Sequence, residues 1–227
     1  MAERSSRLVG QGFAGRLLYV VVRSLVVLWC RLWLRLTVVG KENLPRDGAY
    51  VLAPTHRSNL DIPCAAAVSP RRLRYMGKDS LWKYRSAGAV FSALGAFPVS
   101  RGTADLEALK RCVEVLNSGE PLVLFPEGTR RSGPFVQNLF DGAAFVAVKA
   151  AVPIVPVAIA GTEEAMSRGK RSIGRGRCVM VIGAPIRETV FESRRASRDE
   201  LASITNKLQD RLQVLLNDAH ARMATRD

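Results

Sequence analysis

The chain has few of the residues that bind metals or form disulfides. It contains two histidines and four cysteines among 227 residues. The cysteines lie far apart, with no C-x-x-C pair and no Cys/His cluster of the spacing that zinc sites use. They are Cys30, Cys64, Cys112 and Cys178. We therefore expect reduced thiols in a cytoplasmic protein, and no metal site.

Acidic residues are also scarce. The sequence has 20 Asp plus Glu against 34 Lys plus Arg, which gives a formal net charge of +14 at pH 7. A surface of this sign attracts polyanions, anionic lipids and phosphorylated substrates. The charge limits the possible partners without choosing among them.

Uncharged apolar runs long enough to cross a bilayer are missing as well. Leu, Val and Trp dominate from Leu17 to Leu36, but arginines interrupt them at intervals well below the roughly 20 residues that a spanning helix needs. No small-residue cleavage site follows. We therefore expect neither a secretory signal nor a transmembrane helix.

The same arginines make this N-terminal segment amphipathic. Arg16, Arg23, Arg31 and Arg35 are 7, 8 and 4 residues apart and fall on one stripe of a helix. Two interpretations stay open: a helix that packs on its own domain with a solvated basic face, and a helix that lies in the bilayer interface. We expect residues 1–40 to form an amphipathic membrane-association helix or helical hairpin. It would place the protein on the cytoplasmic face of the plasma membrane, as a peripheral or monotopic protein on an anionic surface.

The rest of the chain alternates short apolar runs with helical patterns. With 48% hydrophobic residues, a chain of this length can bury one sizeable core. The sequence therefore predicts one α/β domain over residues 41–227, with a mainly parallel or mixed sheet flanked by helices. The predicted strands are residues 49–54, 73–76, 96–99, 122–125, 154–160 and 178–182.

The C-terminal region predicts a long amphipathic helix. It opens with a capping box from Ser197 to Glu200. Its apolar stripe contains Leu201, Ile204, Leu208, Leu212 and Leu215. We expect this stripe to pack on the sheet.

The first candidate catalytic element is T-H-R-S-N-L-D, directly after the apolar run that ends near Pro54. A turn leading into a helix can bring His56 and Asp61 into contact. An imidazole can accept a proton from an attacking hydroxyl, and a bonded carboxylate fixes its tautomer and stabilises the imidazolium. The alternative is a helix-capping Asp61 beside a surface His56. The second histidine, His220, lies among polar residues without such a partner and is interpreted as surface.

Two further elements place arginines just beyond predicted strands. F-P-E-G-T-R, from Phe125 to Arg130, delivers a carboxylate, a flexible glycine and a guanidinium. The stretch from Gly95 to Arg101 delivers a second guanidinium. Ligands bind at the carboxyl ends of strands in α/β sheets, and arginine can hold a phosphate with two hydrogen bonds.

At these residues the sequence resembles the glycerolipid acyltransferase superfamily, which includes lysophosphatidic acid and glycerol-3-phosphate acyltransferases. Four blocks match in order: H-x-x-x-x-D, a glycine block that ends in arginine, F-P-E-G-T-R, and a V-P-V strand. They are residues 56–61, 95–101, 125–130 and 155–157. Two positions depart from the common pattern: Thr55 stands where relatives commonly have Asn, and Asp141 where many have Lys.

The resemblance implies transfer of a fatty acyl group from acyl-CoA or acyl-carrier protein to the free hydroxyl of lysophosphatidic acid, in phospholipid biosynthesis. No cofactor is implied beyond the thioester co-substrate. His56 would be the general base and Asp61 its orienter. The implied substrate-binding residues are Arg101, Glu127, Gly128, Thr129, Arg130 and Lys78: the arginines as phosphate ligands, Glu127 and Gly128 as walls of the acceptor pocket.

Two alternatives remain. The first is the same chemistry on another acceptor, such as glycerol 3-phosphate, a lyso-aminolipid or a glycolipid. From another class, a non-enzymatic basic protein would bind membrane or nucleic acid, using the basic segment from Ser167 to Arg177. That segment is also compatible with a solvated loop. Since no nucleic-acid motif with interleaved aromatics is present, we expect no specific nucleic-acid partner.

Overall fold

Seven strands form one sheet in the computed structural model, which describes residues 13–99, 106–167, 169 and 172–225. The strands are β1 (Thr37–Val39), β2 (Val51–Pro54), β3 (Arg74–Lys78), β4 (Ala96–Val99), β5 (Leu122–Val123), β6 (Ile154–Ala160) and β7 (Val179–Ile182). Their order is β1-β7-β6-β2-β5-β3-β4.

The sheet is mixed. Every neighbouring pair is parallel except β6 and β7, which run antiparallel. The predicted α/β fold with a mainly parallel or mixed sheet is therefore confirmed. β1 was not predicted, because its three residues continue the apolar composition of the preceding helix without a break in pattern.

Eight α-helices surround the sheet within the described part of the chain. They are α1 (Phe13–Trp33), α2 (Asp61–Ala65), α3 (Arg85–Ala93), α4 (Leu106–Asn117), α5 (Gly142–Ala150), α6 (Thr162–Ala165), α7 (Val190–Ser193) and α8 (Arg198–Ala224). Short 3-10 turns lie at Lys41–Asn43 and Asp79–Trp82.

Alternation along the strands divides the core between the two faces of the sheet. Val51 and Ala53 of β2 join the cluster that includes α4, α5 and α8. Leu52, between them, joins a second cluster with residues of α1 and α2. Successive side chains of a strand point to opposite faces, so a strand covered on both sides is apolar throughout. All four residues of β2 are accordingly buried.

Helix α8 begins as the sequence predicted. Ser197 is the N-cap, and its hydroxyl and the Glu200 carboxylate form the reciprocal bonds of a capping box. Ile204, Leu208 and Leu212 of the predicted stripe are buried. The helix packs on β6 and β7, as expected.

Helix α1 has an inner face within the domain and an apolar outer face. Val27 and Cys30 of this helix, and Leu34 just after it, are buried in the second core cluster. Arg23 also faces inward, since its Nε donates to the carbonyls of Ala66 and Ser69 at 3.0 and 2.9 Å. The large exposed apolar residues are Phe13, Leu17, Leu18, Val20, Val21, Leu25, Leu28, Leu32 and Trp33. Along the described part of the chain, no helix is both long and apolar enough to cross a membrane.

Strand order brings three loops to one edge of the sheet. β2 lies between β5 and β6 and is parallel to both. The segments that follow these three strands begin near His56, Phe125 and Gly161. The carboxyl ends of parallel neighbours lie side by side, so residues about 100 positions apart in sequence meet there.

The turn after β1 requires glycine. Gly40 has a φ of 81°, and a Cβ there would lie 2.2 Å from the carbonyl oxygen of Ile182. The left-handed conformation costs a residue with Cβ about 1–2 kcal/mol. The overlap with a backbone oxygen adds to that cost, because β7 must shift to relieve it.

We predict that Gly40→Ala lowers the free energy of unfolding by more than about 2 kcal/mol, measured by urea denaturation. Gly48→Ala is the matched control: Gly48 has a φ of 72°, and no described atom lies within 4 Å of a Cβ built there. The control should lose only about 1 kcal/mol. Equal losses in both variants would contradict the packing at β7.

Candidate active site

His56 and Asp61 are in direct contact. His56 follows β2 by two residues, and Asp61 is the first residue of α2. Nδ1 of the imidazole lies 2.9 Å from Oδ2 of the carboxylate. Asp61 is fully buried, while the His56 side chain keeps 15% exposure. The turn therefore places the partly exposed imidazole of His56 in hydrogen-bonding contact with the buried carboxylate of Asp61.

Four hydrogen-bond donors surround the Asp61 carboxylate. Oδ2 accepts from the Arg57 and Ser58 N–H groups at 2.6 and 2.7 Å, besides His56. Oδ1 accepts from the Thr162 hydroxyl at 2.6 Å. A carboxylate with donors on both oxygens is an acceptor, so Nδ1 of His56 carries its hydrogen toward Asp61. The lone pair is then left on Nε2.

The imidazole ring is also held from one side. It stacks on the Phe125 ring with 4.1 Å between centroids and 27° between planes. Phe125 comes directly after the short strand β5 and its continuation Leu124. Stacking and the Asp61 hydrogen bond together fix the ring orientation.

The F-P-E-G-T-R segment holds the backbone of His56 on both sides. Oε2 of Glu127 accepts from the His56 N–H at 2.7 Å. The Arg131 N–H donates to the His56 carbonyl at 2.8 Å. The H-x-x-x-x-D and F-P-E-G-T-R blocks are thus joined through the peptide groups of the histidine itself.

Glu127 is fully buried and paired with Arg57. Its Oε1 lies 3.0 Å from Nη1 of the guanidinium, which is also nearly buried. Burial raises the pKa of Glu127, while the hydrogen bond from the His56 N–H and the charge of Arg57 oppose the rise. Both oxygens of this carboxylate are therefore bonded to the chain itself.

Arg57 extends the contact to the loop that follows F-P-E-G-T-R. Its Nη2 donates to the Phe135 carbonyl at 3.0 Å. One buried guanidinium thus ties the histidine turn to Glu127 and to this loop. The sequence analysis did not assign a role to Arg57.

Gly128, Thr129 and Arg130 continue the same segment toward solvent. Gly128 has a φ of 66°, and a Cβ there would lie 2.7 Å from a ring carbon of Phe140. Thr129 is exposed and Arg130 is half-buried. No group among the described residues pairs with the Arg130 guanidinium, which leaves it available to an anion.

The other two predicted phosphate-binding residues lie on neighbouring strands. Lys78 is the last residue of β3 and pairs with Val99, the last residue of β4. Arg101 follows β4 by two residues and lies outside the described residues. Since β3 is parallel to β5, Lys78 is at the same edge of the sheet as the His56 turn.

Among the residues that the structure describes, neither Ser58 nor any of the cysteines is set up as a nucleophile. The Ser58 hydroxyl donates to the Met166 carbonyl at 2.7 Å and accepts from the Leu60 N–H, so its hydrogen is directed away from His56. All four cysteines are buried and free. Burial raises the pKa of Cys112 and Cys178 to about 12, which keeps both thiols protonated.

The two departures from the common pattern have structural partners. The buried Thr55 hydroxyl accepts from the Ile159 N–H at 2.9 Å, and so joins β2 to β6. Asp141, the N-cap of α5, accepts from the Thr205 hydroxyl of α8 at 2.7 Å. Within the described residues, no three His, Cys, Asp or Glu side chains cluster as a metal site requires.

Thr162 is the second functional candidate that sequence reasoning missed. It follows Gly161, directly after β6, and a polar residue this close to the end of a long apolar run is the signal that could have pointed to it. Its partner depends on which strand lies beside β6, which the sequence does not reveal.

Comparison with known proteins identifies the family. A family model described as Acyltransferase matches residues 35–160. The chain is 33% identical to the 1-acyl-sn-glycerol-3-phosphate acyltransferase of Bacillus subtilis, over 79% of this chain and 87% of that protein. It is 30% identical to the enzyme of the same name from Streptococcus pneumoniae, over 88% of this chain and 74% of that protein.

A solved structure supports the fold. The crystal structure of the 1-acyl-sn-glycerophosphate (LPA) acyltransferase of Thermotoga maritima superimposes with a TM-score of 0.76. The match covers 91% of this chain and 81% of that one, at 22% sequence identity. The chain thus has the fold of that protein, and the family model together with the sequence relatives shows that it belongs to the acyltransferase family and is an O-acyltransferase.

Proposed function

We propose that this enzyme acylates the free hydroxyl of lysophosphatidic acid during phospholipid biosynthesis, with acyl-CoA or acyl-carrier protein as the donor. The observation that carries the proposal is the His56–Asp61 pair, in which four donors hold the carboxylate and leave Nε2 of the imidazole as the proton acceptor. The names of the relatives from Bacillus subtilis and Streptococcus pneumoniae support the choice of acceptor.

In the reaction, Nε2 of His56 takes the proton of the acceptor hydroxyl as its oxygen attacks the thioester carbonyl. Asp61 stabilises the imidazolium that forms. The new ester C–O bond forms, the C–S bond breaks, and the imidazolium returns the proton to the leaving thiolate. Protons and electrons balance without any redox partner or metal.

Transfer is direct in this proposal. An acyl-enzyme requires a nucleophile activated by a base. Ser58 is the side chain of this kind nearest to His56 in sequence, and its hydroxyl is bonded to Met166 instead. The cysteines are buried, so none offers a thiolate to the donor.

We assign the acceptor phosphate to the edge of the sheet at which β2, β3 and β5 end, beside the His56 turn. Arg130 is half-buried and without a partner among the described residues, and a guanidinium can hold a phosphate dianion bidentately. Lys78 is proposed as a further phosphate ligand, because β3 ends with it at the same edge of the sheet. Arg101 is proposed as another on the sequence pattern alone, since it lies outside the described residues. Gly128 and Thr129 form the exposed wall between Arg130 and the base.

Glu127 has a different role from the one that the resemblance implied. Its oxygens are occupied by the His56 N–H and the Arg57 guanidinium, so neither is free to bind substrate. We propose that the Arg57–Glu127 pair positions the histidine backbone, and that Glu127 does not contact the acceptor.

The membrane association that the sequence predicted is proposed for the outer face of α1. Leu25, Leu28 and Leu32 on this face are each more than half exposed. A contiguous exposed apolar surface of this kind marks a membrane or protein contact. Arg31 is exposed on the same helix. The guanidinium carbon of Arg175, in the basic segment from Ser167 to Arg177, lies 5.3 Å from the centroid of the Trp33 ring. Cations therefore border the apolar surface. We propose that the enzyme binds the anionic cytoplasmic face of the plasma membrane in this way.

The acceptor is tested by turnover with a panel of lipids, read by mass spectrometry. The wild-type enzyme should acylate lysophosphatidic acid and leave glycerol 3-phosphate and lysophosphatidylcholine largely unmodified. His56→Ala should lower turnover at least about 100-fold, the usual scale for loss of a general base, and Asp61→Asn should also lower it strongly. Faster turnover of another acceptor would move the proposal to that lipid, and near wild-type turnover of a folded His56→Ala variant would exclude the proposed base.

Membrane binding is tested by co-sedimentation with vesicles that contain phosphatidylglycerol. The triple variant Leu25→Ser, Leu28→Ser, Leu32→Ser should bind at least about tenfold more weakly, because each leucine loses apolar burial in the interface. Val214→Ser is the control, since Val214 is equally exposed but lies on α8. Substitution is preferable to deletion of the helix, because Val27, Cys30 and Leu34 belong to the core. If the triple variant pellets like the wild type, the membrane anchor lies elsewhere.

A further inference from the structure

Thr162 is the donor to Asp61 that comes from outside the histidine turn. The other three donors, His56, Arg57 and Ser58, precede Asp61 by five residues or fewer. Thr162 lies 101 residues further along the chain, at the start of α6. It is fully buried, and its hydroxyl donates to Oδ1 at 2.6 Å.

The chain around Thr162 is fixed in place. Gly161 before it has a φ of 89°, and a Cβ there would lie 2.0 Å from the Arg177 carbonyl oxygen. After α6, the Met166 carbonyl accepts from the Ser58 hydroxyl at 2.7 Å. The short segment from Thr162 to Met166 is therefore bonded to the histidine turn at both of its ends.

We propose that Thr162 is a positioning residue that sets the proton affinity of the His56–Asp61 pair. Its importance for catalysis rests on the proposed function. A hydroxyl that donates to a carboxylate stabilises its negative charge. By holding charge on Oδ1, Thr162 weakens the attraction of Asp61 for the imidazolium proton and lets His56 act as a base at lower pH. The same bond fixes the rotation of the carboxylate, so that Oδ2 faces Nδ1.

The Thr162 hydroxyl is bonded to Asp61, and the other titratable groups around the pair have different partners. Arg57 and Glu127 are bonded to each other. The contact with Cys30 and burial raise the pKa of the Cys64 thiol, and burial raises that of Cys178, so both stay protonated. Glu163 of α6 accepts from the Gly133 N–H. The groups on the elements packed around the pair are Arg57, Glu127, Cys64, Cys178, Glu163 and Glu164.

The chain suits a direct measurement, because His56 and His220 are its only histidines. Ring resonances of the full-length protein, labelled with ¹³C-histidine, can be followed by NMR as pH is varied. In Thr162→Val, the titration midpoint of His56 should rise by about 0.5–1 pH unit, the size of effect expected for one lost hydrogen bond to a charged group. His220, on α8, should titrate as in the wild type.

Three further variants make the test specific. Thr162→Ser keeps the hydroxyl and should restore the wild-type midpoint, whereas Thr162→Ala should raise it like the valine variant. Thr205→Val removes an equivalent threonine–aspartate bond, to Asp141, and should leave His56 unchanged. An unchanged His56 midpoint in folded Thr162→Val or Thr162→Ala, or an equal rise in Thr205→Val, would overturn the proposal.

The titration needs no substrate, so it is independent of the proposed reaction. If the enzyme acylates lysophosphatidic acid through His56, the acid limb of its kcat/KM profile should move upward with the NMR midpoint in Thr162→Val. A shifted midpoint in a protein without acyl transfer would uphold the role of Thr162 and contradict the proposed function.

Discussion

The buried carboxylate of Asp61 is the constraint on which the site depends. An isolated charge in the interior is very costly, and it becomes tolerable only when hydrogen bonds replace the lost water. Here two backbone N–H groups, one hydroxyl and the imidazole supply them. The donors come from the ends of β2 and β6, so the charge is stable only when these two strands are neighbours. The fold and the orientation of the base are therefore set by the same contacts.

The second buried acid, Glu127, fixes the backbone of His56. Glu127 and the Arg131 N–H hold the peptide groups of His56, whereas Asp61 and Phe125 hold its ring. Backbone and side chain of His56 are thus both held by residues that follow β5, together with Asp61 of the turn itself, and β6 acts on the ring only through the bond from Thr162 to Asp61. Arg23 links this region to α1 by bonding to the carbonyls just after α2. A bilayer contact at the outer face of α1 would lie on the helix that packs against the catalytic turn.

Local patterns in the sequence predicted the parts of this structure that depend on neighbouring residues. The buried strands, the capping box of α8 and the short spacing from His56 to Asp61 all belong to this class. The Arg57–Glu127 and Thr162–Asp61 contacts could not be predicted in this way, because each pair meets only through the order of the strands in the sheet. Periodicity also predicted four arginines on one stripe of an N-terminal helix, but α1 ends at Trp33, before Arg35. Arg23 faces the domain, and the outward face is apolar.

The tautomer of His56 tests the central claim most directly. A ¹⁵N NMR spectrum of the histidine rings, recorded above the titration range, distinguishes hydrogen on Nδ1 from hydrogen on Nε2, and His220 serves as the internal reference. The account predicts that His56 carries its hydrogen on Nδ1, bonded to Asp61, with an unprotonated Nε2. Hydrogen on Nε2 of His56 would contradict it, because the remaining lone pair would then be on Nδ1, which faces Asp61 and not the acceptor hydroxyl.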